Sequence, residues 1–131
     1  MHTLIKALDM ESQISLFGKA NREEVRLMLQ KSDAFVLSST YETFGVVIIE
    51  AMSCGLPVLS TKCGGPQSII KSDKMGLLSE INETNLSKNL ITLYNNKDNY
   101  NAKEIRQYVI DNFSQQAICQ KLTSIYKKVI K

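Results

Sequence analysis

Tyr41–Gly55 reads YETFGVVIIEAMSCG, and its reading decides the fold. A carboxylate, Glu42, comes first, then Phe44-Gly45, an apolar run, a second carboxylate, Glu50, and the small-residue stop Ser53-Cys54-Gly55. Just upstream, AFVLSS (34–39) is apolar at its centre and fades into hydroxyl residues. That order predicts strand, tight loop and helix. The helix is expected over residues 44–54, with Gly55 at the position just past its end. Two acids therefore stand around one helix start.

Outward from this stretch the pattern repeats. QISLFG (13–18) is a β-leaning run closed by glycine and reads as a strand. Before it, TLIKALD (3–9) carries apolar residues at helical spacing. Asn21 with Glu24 three residues on forms a capping box, and Val25, Met28 and Leu29 make the buried stripe of the helix it opens. Downstream, LPVLST (56–61) is a third strand, with Pro57 tolerated near its start. KCGGPQSII (62–70) is a glycine loop leading into a short helix with Pro66 in its first turn. GLLSE (76–80) is a fourth strand. The remainder is helical: Leu86, Leu90, Ile91 and Tyr94 mark one stripe, and Ile105, Tyr108 and Val109 a second. A third follows the cap Ser114 as Ile118, Leu122, Ile125, Tyr126 and Val129. Strand–helix alternation predicts an α/β fold, a Rossmann-like parallel sheet of about four strands with helices on both faces and a helical C-terminus. Asn95–Lys103 reads as a surface turn, so residues 1–131 form a single domain.

Composition excludes several classes. The 131 residues are 44% hydrophobic and 22% charged, as in ordinary globular domains. The net charge of +3 is spread among mixed acids and bases, which argues against nucleic acid as partner. The run Phe44–Ile49 is too short to span a bilayer. MHTLIKALDM lacks the h-region of a secretory signal. Cys54, Cys63 and Cys119 are odd in number and show no C-x-x-C spacing, which fits reduced thiols in a cytoplasmic protein rather than a disulfide framework or zinc site. His2 is the only histidine, so chemistry needing a histidine base cannot be completed here.

In open α/β sheets, ligands bind beyond the carboxyl ends of the strands. Three loops lie there: Gly18-Lys19-Ala20, Ser38–Phe44 and Thr61–Pro66. The middle loop feeds a helix N-terminus, whose free N–H groups and dipole favour a phosphate, and Gly45 lets backbone come close to it. Carboxylates beside an anion need donors to face. Vicinal sugar hydroxyls supply them. Glu50 lies about 9 Å along the helix axis from Phe44. One acid can thus meet a hexose on one side of a diphosphate, and the other a ribose on the opposite side. A nucleotide sugar has both.

ETFGVVIIEAMSCGLPVLST, with GGP after it, resembles the signature of retaining glycosyltransferases of the GT-B fold, family four, also called glycosyl transferase group one. SDAFVLSS and NFSQQAICQKLTSIY resemble the strand before the signature and the closing helix of that family, so the likeness covers nearly the whole chain. It implies that Glu42 contacts the donor hexose near the reaction centre, a catalytic position. Thr43, Phe44, Gly45 and Val46 match the segment that meets donor sugar and phosphate, and Glu50 the acid that holds the ribose. Gly18 and Lys19 fall where the family lines the base pocket, and Gly64 and Gly65 on the rim of the same cleft. The implied donor is a uridine or guanosine diphosphate hexose, with no cofactor, no metal clamp and retention of configuration.

Ser68 departs from the pattern, standing where many relatives carry an acid. The family also has a preceding strand–helix–strand unit bearing a basic pair for the diphosphate, and an N-terminal acceptor domain. Neither is seen in these residues. The expectation is a donor-binding part that is inactive alone, with its acceptor supplied elsewhere and any membrane contact made through that other domain. Its uncovered sheet edge is expected to promote self-association. Two further readings stand beside this one: a non-catalytic nucleotide-sugar-binding or regulatory partner subunit, and a piece of a sugar-nucleotide epimerase. Residue by residue the plainer alternatives are a solvent-exposed loop acid at Glu42, a structural hydrogen bond to neighbouring backbone at Glu50, a solvated Lys19, a simple turn at Gly64-Gly65, and core packing for Phe44, Cys54, Tyr94, Tyr108 and Tyr126.

Overall fold

The computed structural model describes residues 1–130. In chain order the elements are α1 (His2–Ala7), α2 (Arg22–Gln30), β1 (Phe35–Leu37), α3 (Val46–Ser53), β2 (Val58–Thr61), α4 (Pro66–Ile69), β3 (Gly76–Ser79), α5 (Glu83–Asn95), a 3₁₀ turn at Lys97–Asn99, α6 (Ala102–Phe113) and α7 (Gln115–Val129). The three strands form one parallel sheet in the order β1-β2-β3. Phe35, Val58 and Gly76 lie in one register row, and Leu37, Ser60 and Leu78 in another on the same face. That face packs on α3, which in turn packs on α6; Ile48, Met52, Val58, Ile69, Ile105 and Val109 form the centre of this core. α5 covers β2 and β3 on the other face through Leu93, 1% exposed.

Local chemistry sets the ends of these elements. Asn21 Oδ1 accepts from the Glu24 N–H at 3.0 Å, and the Glu24 carboxylate accepts from the Asn21 N–H at 2.7 Å, completing the capping box. At the end of α3 the Gly55 N–H donates to Met52 O (2.9 Å) and the Leu56 N–H to Ala51 O (3.2 Å). This pair of bonds is a Schellman stop, so the helix ends where the small-residue run predicts. Its start lies later than expected, at Val46 rather than residue 44, because Gly45 holds a left-handed conformation.

Several expectations need correction. Residues 13–18 carry no strand. An extended segment becomes a strand only when a neighbour takes its N–H and C=O groups, and no described strand lies beside this one; the sheet has three strands rather than about four. In α5 the buried residue is Leu93, while Leu90, Ile91 and Tyr94 are exposed. In α7 only Ala117 is buried, and Ile118, Leu122, Ile125, Tyr126 and Val129 face outward. Periodicity identified both helices correctly but assigned their apolar stripes to an interior that the described residues do not provide. Among the described residues β1 is paired on one side only, and Val36 on its α5-side face is 40% exposed.

Candidate functional site

The site forms where β1 and β2 run out. Beyond the strands, the Glu42 N–H donates to Cys63 O at 2.9 Å and the Gly65 N–H to Glu42 O at 2.8 Å, making a parallel bridge between Glu42 and Gly64. The Thr61 hydroxyl donates to Ser39 O, and the Gly64 N–H donates to Gln67 Oε1 at 2.9 Å. Two loops separate in sequence are thereby welded into one. Gly65 is required at the weld: a Cβ there would lie 2.2 Å from Phe44 O. Thr43, Phe44, Gly45 and Val46 follow directly, so the structure brings seven of the predicted residues together: Glu42, these four, Gly64 and Gly65.

Gly45 has φ +92° and turns the loop into α3. It is held between Ile48 Cδ1, Glu42 Cγ and Ile69 Cδ1, which lie 3.2, 3.6 and 3.6 Å from where a Cβ would stand. The N-terminus of α3 has no side-chain cap, whereas α2, α5, α6 and α7 are capped by Asn21, Asn82, Asn101 and Ser114. The first N–H groups of α3 are left to face the loop. Phe44 is 44% exposed and rests edge-on against Phe113, with ring centroids 6.3 Å apart. Phe113 in turn meets Tyr108 at 6.0 Å, and the Tyr108 hydroxyl donates to Ile69 O at 2.7 Å. Burial pushes that phenol above its usual pKa.

Glu42 and Glu50 are both half-buried. Neither carboxylate has a hydrogen-bond or ion-pair partner among the described residues. Glu50 lines a groove of about 590 Å³ between α2, α3 and α6, together with Ala20, Arg22, Val25, Arg26 and Arg106. Arg26 hydrogen-bonds Glu23 along the helix surface, which holds the Glu23 carboxyl below its usual range. Gly18 and Lys19 are exposed and do not line this groove; their neighbour Ala20 does.

Sequence reasoning missed Phe113, Arg22 and Arg106. Arg22 carried a faint signal, sitting in the first turn of the helix that follows the loop Gly18-Lys19-Ala20. Phe113 and Arg106 lie more than fifty residues from the acids in sequence, and only packing of α6 on α3 brings them near.

Comparison with known proteins now decides the family. The family model described as "Glycosyl transferases group 1" matches residues 1–116. The chain belongs to that family. Among curated relatives, this group 1 glycosyl transferase chain is 30% identical over 131 residues to N-acetyl-alpha-D-glucosaminyl L-malate synthase of Bacillus anthracis, covering 98% of the chain and 34% of the relative. It is 29% identical over 135 residues to the putative colanic acid biosynthesis glycosyltransferase WcaL of Escherichia coli, with 95% of the chain and 33% of the relative covered. Among solved structures it is similar to a glycosyltransferase of Rickettsia africae (TM-score 0.81, 27% identity, 98% of the chain and 35% of that chain). It is also similar to HepE of Anabaena, solved in complex with UDP (TM-score 0.76, 27% identity, 94% and 35%). The α/β architecture is of the GT-B type, and the chain spans about a third of the length of these relatives.

Proposed function

We propose that residues 1–131, as a single domain, are the donor-binding part of a retaining glycosyltransferase that moves a hexosyl group from a nucleoside diphosphate sugar to an acceptor hydroxyl. The observation that carries this reading is the Glu42–Gly64 bridge, which joins two loops at the uncapped start of α3, with the unpartnered Glu42 carboxylate in the first loop and the unpartnered Glu50 carboxylate on the helix itself. The diphosphate lies at the N–H groups of Gly45 and Val46, where the helix dipole favours it. The Glu42 carboxylate accepts from hexose hydroxyls near the anomeric carbon. The Glu50 carboxylate accepts from the ribose hydroxyls, and the base enters the groove beside Ala20. Gly64 and Gly65 form the rim.

In the reaction, the bond between the anomeric carbon and the phosphate oxygen breaks, and the electron pair leaves with the nucleoside diphosphate. The acceptor oxygen bonds to the same face of the carbon, and its proton passes to the departing phosphate oxygen. Charge growing on the leaving group is what the α3 N-terminus opposes. UDP in the HepE structure supports a uridine nucleotide as the first donor to test, with a guanosine diphosphate hexose as the alternative. The acceptor is supplied by another domain or chain, and the isolated residues are inactive in transfer. The three unpaired cysteines fit a reducing, cytoplasmic setting.

Calorimetric titration with UDP, UDP-hexoses and GDP-hexoses tests the reading. The wild type is expected to bind one nucleotide sugar more tightly than the bare diphosphate, and Glu42→Gln to erase that preference while keeping diphosphate affinity. An unchanged preference in the variant sinks the role of Glu42. Sugar transfer by the isolated 131 residues would overturn the claim of inactivity.

A further inference from the structure

Helix α4 is a single turn, Pro66–Ile69, and one turn has no stability of its own. Its neighbours must fix its place. At its start the Gly65 N–H donates to Glu42 O at 2.8 Å, which ties it to the first loop of the site. At its end the Ile69 carbonyl has no helical partner, and Ile69 is fully buried. The Tyr108 hydroxyl, reaching over from α6, donates to that carbonyl at 2.7 Å, and no other hydrogen bond reaches it among the described residues. Without this donor a buried carbonyl is left unpaired, which costs more than the bond itself contributes.

Between these two anchors Ile69 leans on the backbone of the site. Its Cδ1 lies 3.6 Å from where a Cβ on Gly45 would stand. Further along α6, Phe113 meets both the Tyr108 ring and Phe44 edge-on. Helix α6 therefore braces both loops, the first through Phe113 and the second through Tyr108 at the far end of α4. It packs on α3 as well, so one helix sets the two loops and the helix start relative to one another. Neither brace involves Glu50, which lines the separate groove between α2, α3 and α6.

We infer that Tyr108 is a positioning residue of the donor site: its hydroxyl holds α4 against the start of α3 and so keeps the Gly64–Gly65 rim and Glu42 at the spacing that admits a hexose beside the diphosphate. This inference rests on the donor-site reading given above. Tyr108 does not touch the donor. It acts through Ile69 and Gly65, so its loss is felt on the hexose side of the diphosphate and not on the ribose side.

The test is calorimetric titration of the full chain and of Tyr108→Phe, which keeps the ring and its contact with Phe113 but removes the donor. Ligands are a panel of UDP-hexoses and GDP-hexoses, UDP and GDP themselves, and 2′,3′-dideoxy-UDP. Tyr108→Phe should lose roughly five-fold of the wild-type preference for a nucleotide sugar over its bare diphosphate, the worth of one hydrogen bond. Its ratio of UDP to dideoxy-UDP affinity should stay at the wild-type value. Leu93→Val is the control: it removes one methylene from a buried position of α5 on the far face of the sheet, a loss of similar size, and should leave every affinity unchanged. The inference is overturned if Tyr108→Phe keeps the full sugar preference while Glu42→Gln erases it, an outcome that leaves the donor-site reading standing. An equal loss on the ribose ratio overturns it too, as does the same loss of preference in Leu93→Val, since either marks a general loss of stability. A wild type that binds no nucleotide sugar more tightly than its diphosphate removes the reading and the inference together.

Discussion

Replacing Gly65 by alanine tests how the two loops are joined. Gly65 sits in the right-handed helical region (φ −52°, ψ −42°), so alanine meets no backbone strain of its own. The whole effect is steric. The new methyl would lie 2.2, 2.3 and 2.4 Å from Phe44 O, C and Cα. These are backbone atoms, which cannot rotate aside as a side chain does. The loop at Phe44 must retreat by about 1 Å to reach ordinary contact distance. That retreat breaks the two bridge bonds, Glu42 N–H to Cys63 O and Gly65 N–H to Glu42 O. At about 1 kcal/mol net for each bond the loss is about 2 kcal/mol, or a fall in Tm of roughly 6–10 °C for a domain of this size. Gly18→Ala is the control. It has φ +67° and open space where its Cβ would stand, so it costs only left-handed strain of about 1 kcal/mol. Thermal unfolding followed by circular dichroism, with nucleotide-sugar titration alongside, reads both. Gly65→Ala should be the less stable variant and should also lose donor affinity, because Glu42 and Phe44 move with the loop. If Gly65→Ala is as stable as Gly18→Ala and binds donor normally, the bridge does not organise the site.

Ile105→Ala empties a fully buried position where α6 packs on α3 and should cost about 2–5 kcal/mol by chemical denaturation. Phe113→Ala removes the edge contacts to both Phe44 and Tyr108. It should lower stability by about 2 kcal/mol and loosen donor binding, whereas Phe113→Tyr should retain both, as measured by unfolding and titration. Arg26→Ala frees Glu23, whose carboxyl should titrate higher, in the usual carboxylate range, by NMR. Because Glu23 is held low in the folded chain, whatever stability the pair brings is present above the unfolded-state pKa. It is lost as pH falls through the folded-state value, so the variant should show a flatter stability profile at acid pH.

Much of the fold was legible because the signals were local. The capping box at Asn21, the Schellman stop at Gly55 and the proline opening α4 each need only neighbouring residues. The core strands around Phe35, Val58 and Gly76 were legible from their uninterrupted apolar runs. What failed depended on partners. Residues 13–18 have the composition of a strand, but a strand is a property of a pair. Leu90, Ile91 and the α7 residues show helical periodicity, which says that a face exists and not what covers it. At the site, Glu42, Gly45 and Glu50 stood out through order and spacing. Their tie to Gly64 and Gly65 was legible only as two loops at the same end of a sheet, and of the arginines of the Glu50 groove only Arg22 carried a faint signal, since nothing local links α2 and α6 to α3.

The proposed donor site stands or falls with Glu50 as acceptor of the ribose hydroxyls. The most direct measurement is the affinity of UDP and of its 2′,3′-dideoxy form for the wild type and for Glu50→Ala. Hydrogen bonds to a charged group contribute about 1.5–3 kcal/mol, so the wild type should prefer UDP by roughly ten- to a hundred-fold, and Glu50→Ala should bind the two alike. The ribose role of Glu50 is contradicted if the wild type ignores loss of the hydroxyls, or if both proteins discriminate equally.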